Sequence, residues 1–206
     1  MELGVVAAVI IGIVIGGILV VSFEKRKFGD PRGASLASSA APNSAKNSSV
    51  VESSKNNPLV RAEHIFISEP LATRDDVLTF ISARAVELGM SDDAEALMQA
   101  FLKRESDGST AMMDGFAIPH AKTDAVKDAG VIVVKTVGGI SAWEGMDAQP
   151  VTCAIALLAP ESHAGTTHIR LLSQVAQALM DEDFRAHCKA ESDPEAIAAA
   201  INERLS

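Results

Sequence analysis

Five histidines and two cysteines carry most of the nucleophilic, acid–base and metal-binding potential of this sequence, and their neighbours sort them. His120 stands apart. It follows Gly115-Phe116-Ala117-Ile118-Pro119, an apolar run whose proline stiffens the backbone and would hold the imidazole at a fixed exit from a sheet. An unperturbed imidazole titrates near about 6.5, so a neutral ring at that position is a competent nucleophile at neutral pH. His168 begins a predicted helix, where free backbone N–H groups and the helix dipole favour a nearby anion. His64, ahead of Ile65-Phe66-Ile67, and His187, on a polar helix face, read as surface or packing residues. His163 falls in a loop, residues 159–165, where exposure is the default.

Zinc is the obvious rival use for histidines. His163 and His168 are five residues apart, a spacing that does not put them on one helical face, and neither a third ligand nor a cysteine joins them. No metal is expected. Cys153 sits in an apolar run and Cys188 in a polar helical one; they form no CxxC pair and read as structural thiols. The sequence has no GxSxG elbow, no Walker loop and no GxGxxG fingerprint.

The elements that must position His120 lie in the C-terminal part of a chain of 206 residues. Lys+Arg 18 against Asp+Glu 27 gives a net charge of -9, too acidic for displacing counterions from nucleic-acid phosphates. Aromatics at 4%, with one tryptophan, disfavour stacking platforms for bases or sugars, so aliphatic side chains must build the core.

Residues 4–23 carry no charge, and at about 1.5 Å per residue they span the hydrocarbon core of a bilayer, about 30 Å. Only Met1, Glu2 and Leu3 precede this stretch, whereas Lys25, Arg26 and Lys27 follow it. That order favours an uncleaved span over a secretory signal, with the C-terminal side in the cytoplasm. Gly12 and Gly16 form a GxxxG pair that would let two such helices approach closely. Residues 1–28 are therefore expected to form a transmembrane anchor in the inner (cytoplasmic) membrane. Residues 29–57, rich in Ser, Ala and Asn, are expected to be a flexible linker with a reach of roughly 30 Å.

Residues 58–206 form the predicted domain. Thr73 to Asp76 looks like a helix start, followed by Val77, Leu78, Ile81 and Ala85 at helical spacing, and Ser91 looks like the start of a second helix. Val131 to Val134 and Val151 to Leu158 read as buried strands; Thr167 to Met180, Phe184 to Ala190 and Pro194 to Leu205 read as helices. The order helices, strands, helices predicts a mixed-sheet α/β sandwich, preceded by one transmembrane helix and the linker.

Arg104-Glu105-Ser106-Asp107-Gly108-Ser109-Thr110, followed by Met113-Asp114-Gly115-Phe116-Ala117-Ile118-Pro119-His120-Ala121-Lys122, resembles enzyme IIA of the phosphoenolpyruvate-dependent sugar phosphotransferase system, fructose/mannitol class (type 2). Trp143-Glu144-Gly145-Met146-Asp147, Leu157 to Glu161 and His168-Ile169-Arg170-Leu171-Leu172-Ser173 continue the resemblance in order across nearly all of 58–206. Phe116 stands where the family commonly has isoleucine, and Ala121-Lys122 replaces a frequent glycine, as in the fructose-type branch.

The resemblance implies a phosphocarrier that receives a phosphoryl group from the histidine of an HPr-type carrier. It then passes the group to a cysteine of enzyme IIB, for sugar moving through the permease component IIC. It places the phosphohistidine at His120, loaded on Nε2 while a hydrogen bond fixes Nδ1. It makes Arg104 a donor to the phosphoryl oxygens and His168 a donor to the phosphoryl group or an orienter of His120. Ser109 and Thr110 would supply hydroxyls to phosphate, a local turn role being the equal alternative. Arg104 could instead satisfy carbonyls at a helix C-terminus, and His168 could hold a structural cap bond. No cofactor or nucleotide is implied. The alternative functions are a regulatory enzyme IIA of the nitrogen-related type, whose phosphorylation state controls a partner protein, and a non-catalytic module on the same scaffold.

Overall fold

The computed structural model describes residues 58–163 and 167–206. The anchor expected over 1–28 and the linker expected over 29–57 lie outside the described residues. Among the described residues no helix is long and apolar enough to cross a membrane.

The chain runs through β1 (Ile65–Glu69), α1 (Arg74–Glu87), α2 (Ala94–Ser106), β2 (Phe116–Ala117), β3 (His120–Lys122), β4 (Gly130–Ile140) and β5 (Val151–Ala159). It closes with α3 (Thr167–Ala178), α4 (Glu182–Ala190) and α5 (Pro194–Leu205). A single 3-10 turn, Ala62–His64, and then a strand precede α1, where the sequence pattern suggests helices first.

The two apolar runs become the sheet's centre. β4 and β5 pair antiparallel, with Val131 opposite Leu157 and Val133 opposite Ile155. β1 joins β4 in parallel, and β2 and β3 both join β5 in parallel, giving a mixed five-stranded sheet. Both faces of the central strands are covered, which is why they read as unbroken apolar runs and not as alternating ones. Side chains still alternate across the sheet. Val131, Val133, Ile155 and Leu157 pack with Val175, Leu179, Phe184, Ile197 and Ile201 of the C-terminal helices and their flank. Ile132, Val134, Ala156 and Leu158 pack with Val77, Leu78, Ile81, Leu97 and Phe101 of α1 and α2. The result is a sheet between two helical layers.

Local chemistry sets the helix starts. Thr73 and Asp76 close a reciprocal capping box at α1, each side chain accepting from the other residue's backbone N–H. Asp93, not Ser91, caps α2, accepting from the Ala96 N–H at 3.0 Å. Ser91 is instead drawn inward, its hydroxyl donating to the Ala125 carbonyl at 2.9 Å. Pro194 occupies the first turn of α5, where its missing N–H would have had no intrahelical partner.

Candidate functional site

His120 opens β3 at the side of the sheet, and its backbone neighbours are pinned on both flanks. The Ile118 N–H donates to the Thr110 carbonyl at 2.9 Å, and the Pro119 carbonyl accepts from the Leu157 N–H at 2.9 Å. The imidazole Nδ1 lies 2.9 Å from the Ile118 carbonyl, and Arg104 Nε donates to Nε2 at 2.8 Å. A carbonyl can only accept and a guanidinium can only donate. Both contacts therefore demand the same species: a neutral ring with its proton on Nδ1 and its lone pair on Nε2.

The electrostatics agree. Burial pushes the His120 pKa down to about 4, helped by the positive charge of Arg104 and by His168, against the raising effects of the Ile118 carbonyl and Glu105. The ring is half-buried, so it keeps a face towards solvent while losing the hydration that would favour its charged form.

Arg104 comes from the last turn of α2, where a cation also complements the helix dipole. One guanidinium makes both bonds: Nη1 donates to the Gly108 carbonyl at 2.9 Å while Nε donates to His120. His168 lies in the first turn of α3, and its ring centroid is 5.8 Å from that of His120. Burial lowers its pKa, with a further contribution from the charge of Lys122. Lys122, two residues along β3 from His120, pairs with Glu161 at 3.3 Å.

Ser109 and Thr110 are close in sequence to this cluster, but their hydroxyl protons go elsewhere. Ser109 Oγ donates to the Glu144 carbonyl at 2.7 Å, and Thr110 Oγ1 donates to Glu105 Oε2 at 2.6 Å. A hydroxyl has one proton, so neither residue has one to offer a phosphoryl group while these bonds stand. These bonds give both hydroxyls the local, loop-closing role that was the equal alternative to phosphate binding.

Glu105 is the residue that reading the sequence for chemistry passed over. It is buried and accepts three hydrogen bonds: the Thr110 N–H at 3.0 Å, the Thr110 hydroxyl, and the indole N–H of Trp143 at 2.9 Å. Its adjacency to Arg104 and the presence of a lone tryptophan in a matching segment were the available signals. Gly145 follows because a Cβ at that position would run into the Met112 carbonyl oxygen. Among the described residues no group of His, Cys, Asp and Glu could hold a metal ion.

A family profile described as "Phosphoenolpyruvate-dependent sugar phosphotransferase system, EIIA 2" matches residues 58–204. The chain belongs to this EIIA family. It is a phosphotransferase component of the EIIA type, a phosphocarrier. Over 123 residues it is 37% identical to the PTS system fructose-specific EIIA component of Haloferax volcanii, covering 60% of this chain and 79% of that one. It is 31% identical over 147 residues, 71% of this chain, to the PTS system 2-O-alpha-mannosyl-D-glycerate-specific EIIABC component of Escherichia coli, spanning only 22% of that protein's length. It is also 32% identical over 143 residues to a Nitrogen regulatory protein of Bradyrhizobium diazoefficiens, covering 69% of this chain and 92% of that one. Among solved structures, the Nitrogen Regulatory Protein IIA-Ntr from Neisseria meningitidis superposes with a TM-score of 0.64 at 24% identity, covering 69% of this chain and 96% of that one. IIA-mannitol from Escherichia coli, solved in complex with phosphorylated IIB-mannitol, gives 0.56 at 24% identity, covering 71% and 96%. These two likenesses carry the fold. Within this EIIA domain His120, Arg104 and His168 form one cluster, with Glu105 and Thr110 directly behind it.

Proposed function

We propose that His120 is the phosphoryl acceptor of this EIIA, taking the group from an HPr-type phosphocarrier and passing it to a cysteine of an enzyme IIB for fructose-type sugar uptake. One observation carries this reading: two hydrogen bonds, to the Ile118 carbonyl and from Arg104, hold a neutral ring with its lone pair on Nε2. In the transfer, that lone pair attacks the donor's phosphorus. The P–N bond to the donor histidine breaks, its electrons return to the donor ring, and a new P–Nε2 bond forms. The His120 proton stays on Nδ1, held by the Ile118 carbonyl, and its hydrogen bond stabilises the positive charge that develops on the ring. Arg104 releases the lone pair and turns its fork onto the phosphoryl oxygens; His168 lies close enough to add a donor. Pre-positioned charge of this kind is most of what phosphoryl transfer needs.

Incubation of the purified chain with phosphorylated HPr tests the assignment. Phosphate should appear on the parent protein and not on His120→Ala; full labelling of that variant would overturn the reading.

The 32% identity to a Nitrogen regulatory protein supports a second reading, in which the phosphorylation state of His120 controls a partner protein. Onward transfer to an enzyme IIB cysteine favours transport. A partner captured only by one phosphorylation state, with no transfer to any IIB, favours regulation.

We infer further that residues 1–28 anchor the domain to the inner membrane by the charge-free stretch 4–23 and its basic flank, with 29–57 as a tether. On this reading the domain works beside the IIB and IIC permease components. The full chain should sediment with membranes and resist carbonate extraction, and removal of residues 1–28 should release it; a full chain that stays in the supernatant refutes the anchor.

A further inference from the structure

The hydrogen bonds around His120 form a closed circuit, and Glu105 is its hub. From Glu105 one path runs through Thr110: the carboxylate accepts the Thr110 N–H and hydroxyl, the Thr110 carbonyl accepts the Ile118 N–H, and the Ile118 carbonyl accepts the His120 Nδ1–H. The other path runs through the neighbouring residue. Arg104 is braced by the Gly108 carbonyl, in the short loop between Glu105 and Thr110, and donates to His120 Nε2. Trp143 locks the hub from the far side, its indole N–H sharing Oε1 with the Thr110 N–H.

We propose that Glu105 is a positioning residue for phosphoryl transfer: by fixing Thr110 it holds both the carbonyl that sets the His120 tautomer and the loop that aims Arg104. The proposal rests on the reading of His120 as the phosphoryl acceptor. Glu105 does not touch the reacting nitrogen. Its influence passes through backbone groups that themselves contact His120 and Arg104, so displacement at the hub reaches the partners of both ring nitrogens at once. Displacements of about 1 Å at a reacting centre can cost about 100-fold in rate. The three donors facing Glu105 need acceptor lone pairs, which a carboxylate supplies without offering a proton of its own.

Glutamine and aspartate separate geometry from charge. In Glu105→Gln the amide oxygen keeps the place of Oε1, accepting both the Thr110 and Trp143 N–H groups, while the amide nitrogen donates to a reoriented Thr110 hydroxyl. In Glu105→Asp the charge remains but the carboxylate withdraws by about 1.5 Å, out of reach of Thr110 and Trp143 together.

The full chain, labelled with 15N-histidine and held in mild detergent, is read in two ways. Imidazole nitrogen shifts report the His120 tautomer without any donor protein, and transfer from phosphorylated HPr is followed to saturation. Glu105→Asp should turn a single Nδ1–H tautomer into a mixture and lower the transfer rate at saturating donor by about tenfold or more. Its half-saturating donor concentration should hold, because Glu105 is buried and offers a docking protein little surface. Glu105→Gln should keep the single tautomer and a rate within about threefold of the parent. Parent-like tautomer and rate in Glu105→Asp would overturn the proposal. So would a Glu105→Gln protein as impaired as Glu105→Asp, since holding the acceptor atoms in place would then not suffice to preserve the site. Phosphorylation of His120→Ala would defeat the underlying assignment instead, and leave the tautomer result standing on its own.

Discussion

Arg104 caps the Nε2 lone pair of His120: its Nε donates to Nε2 at 2.8 Å, while its Nη1 is tied to the Gly108 carbonyl at 2.9 Å. On the proposed reading of His120 as phosphoryl acceptor, the site stores the guanidinium where the phosphorus would arrive. Loading would then exchange one partner of the cation for another, a lone pair for phosphoryl oxygens, with the helix-end geometry of α2 already in place.

Arg104→Gln should therefore still fold but accept phosphate more slowly. A hydrogen bond to a charged group contributes about 1.5–3 kcal/mol, which corresponds to a rate loss of roughly 10- to 150-fold. Initial rates of labelling from phosphorylated HPr measure it; an unchanged rate would show that the guanidinium only satisfies the helix end.

His120 should stay neutral across the whole physiological range. Its folded pKa of about 4 lies below the ordinary value of 6.5, so between these pH values the unfolded chain binds the extra proton. The stability that follows is complete above about 6.5 and is lost as the pH falls towards 4. Phosphate acceptance should be flat from pH 8 to about 5.5 and decline below that, and a histidine NMR titration should show the same midpoint. Half-loss of acceptance near pH 6.5 would contradict it. Removing the charge of Arg104 should raise the midpoint, though not to 6.5, because burial is the larger cause.

His168→Ala should slow loading of His120 without abolishing it, since the ring neighbours His120 at 5.8 Å between centroids and is not its tautomer-fixing partner. Losing a group that depresses the His120 pKa should also move that titration upward. A variant wholly unable to accept phosphate, yet folded, would assign His168 a larger part than this geometry does.

Ile155→Ala tests the scaffold apart from the chemistry. Ile155 is 1% exposed in the core shared by β5 and the C-terminal helices. The truncation should cost about 2–5 kcal/mol by denaturant unfolding. Labelling of His120 at a temperature well below the transition should persist, because the hydrogen bonds that fix the ring are not touched. A cost under about 1 kcal/mol would show that this part of the core relaxes freely.

Several elements were legible as sequence because their causes are local. The capping box of Thr73 and Asp76, Pro194 in the first turn of α5, and the β-branched runs of β4 and β5 each act within a few residues, and each appears where its pattern put it. The start of α2 was misread because Ser91 and Asp93 are both competent caps, and only the nearby Ala125 carbonyl decides which one turns inward. The strands β2 and β3, two and three residues long, carry no periodicity; pairing with β5 alone makes them strands.

The same division runs through the site. Reading the chain as a string was enough to single out His120, because proline and apolar neighbours announce a constrained imidazole, and the ordered motifs with Arg104 and His168 announce the family. Folding alone decided which nitrogen keeps the proton, where the hydroxyls of Ser109 and Thr110 point, and that Glu105 meets Trp143 across a separation of 38 residues. Propensity and capping are short-range and leave their mark on neighbouring letters. Hydrogen bonds between segments distant along the chain depend on how the whole sheet brings them together, and no local pattern records that.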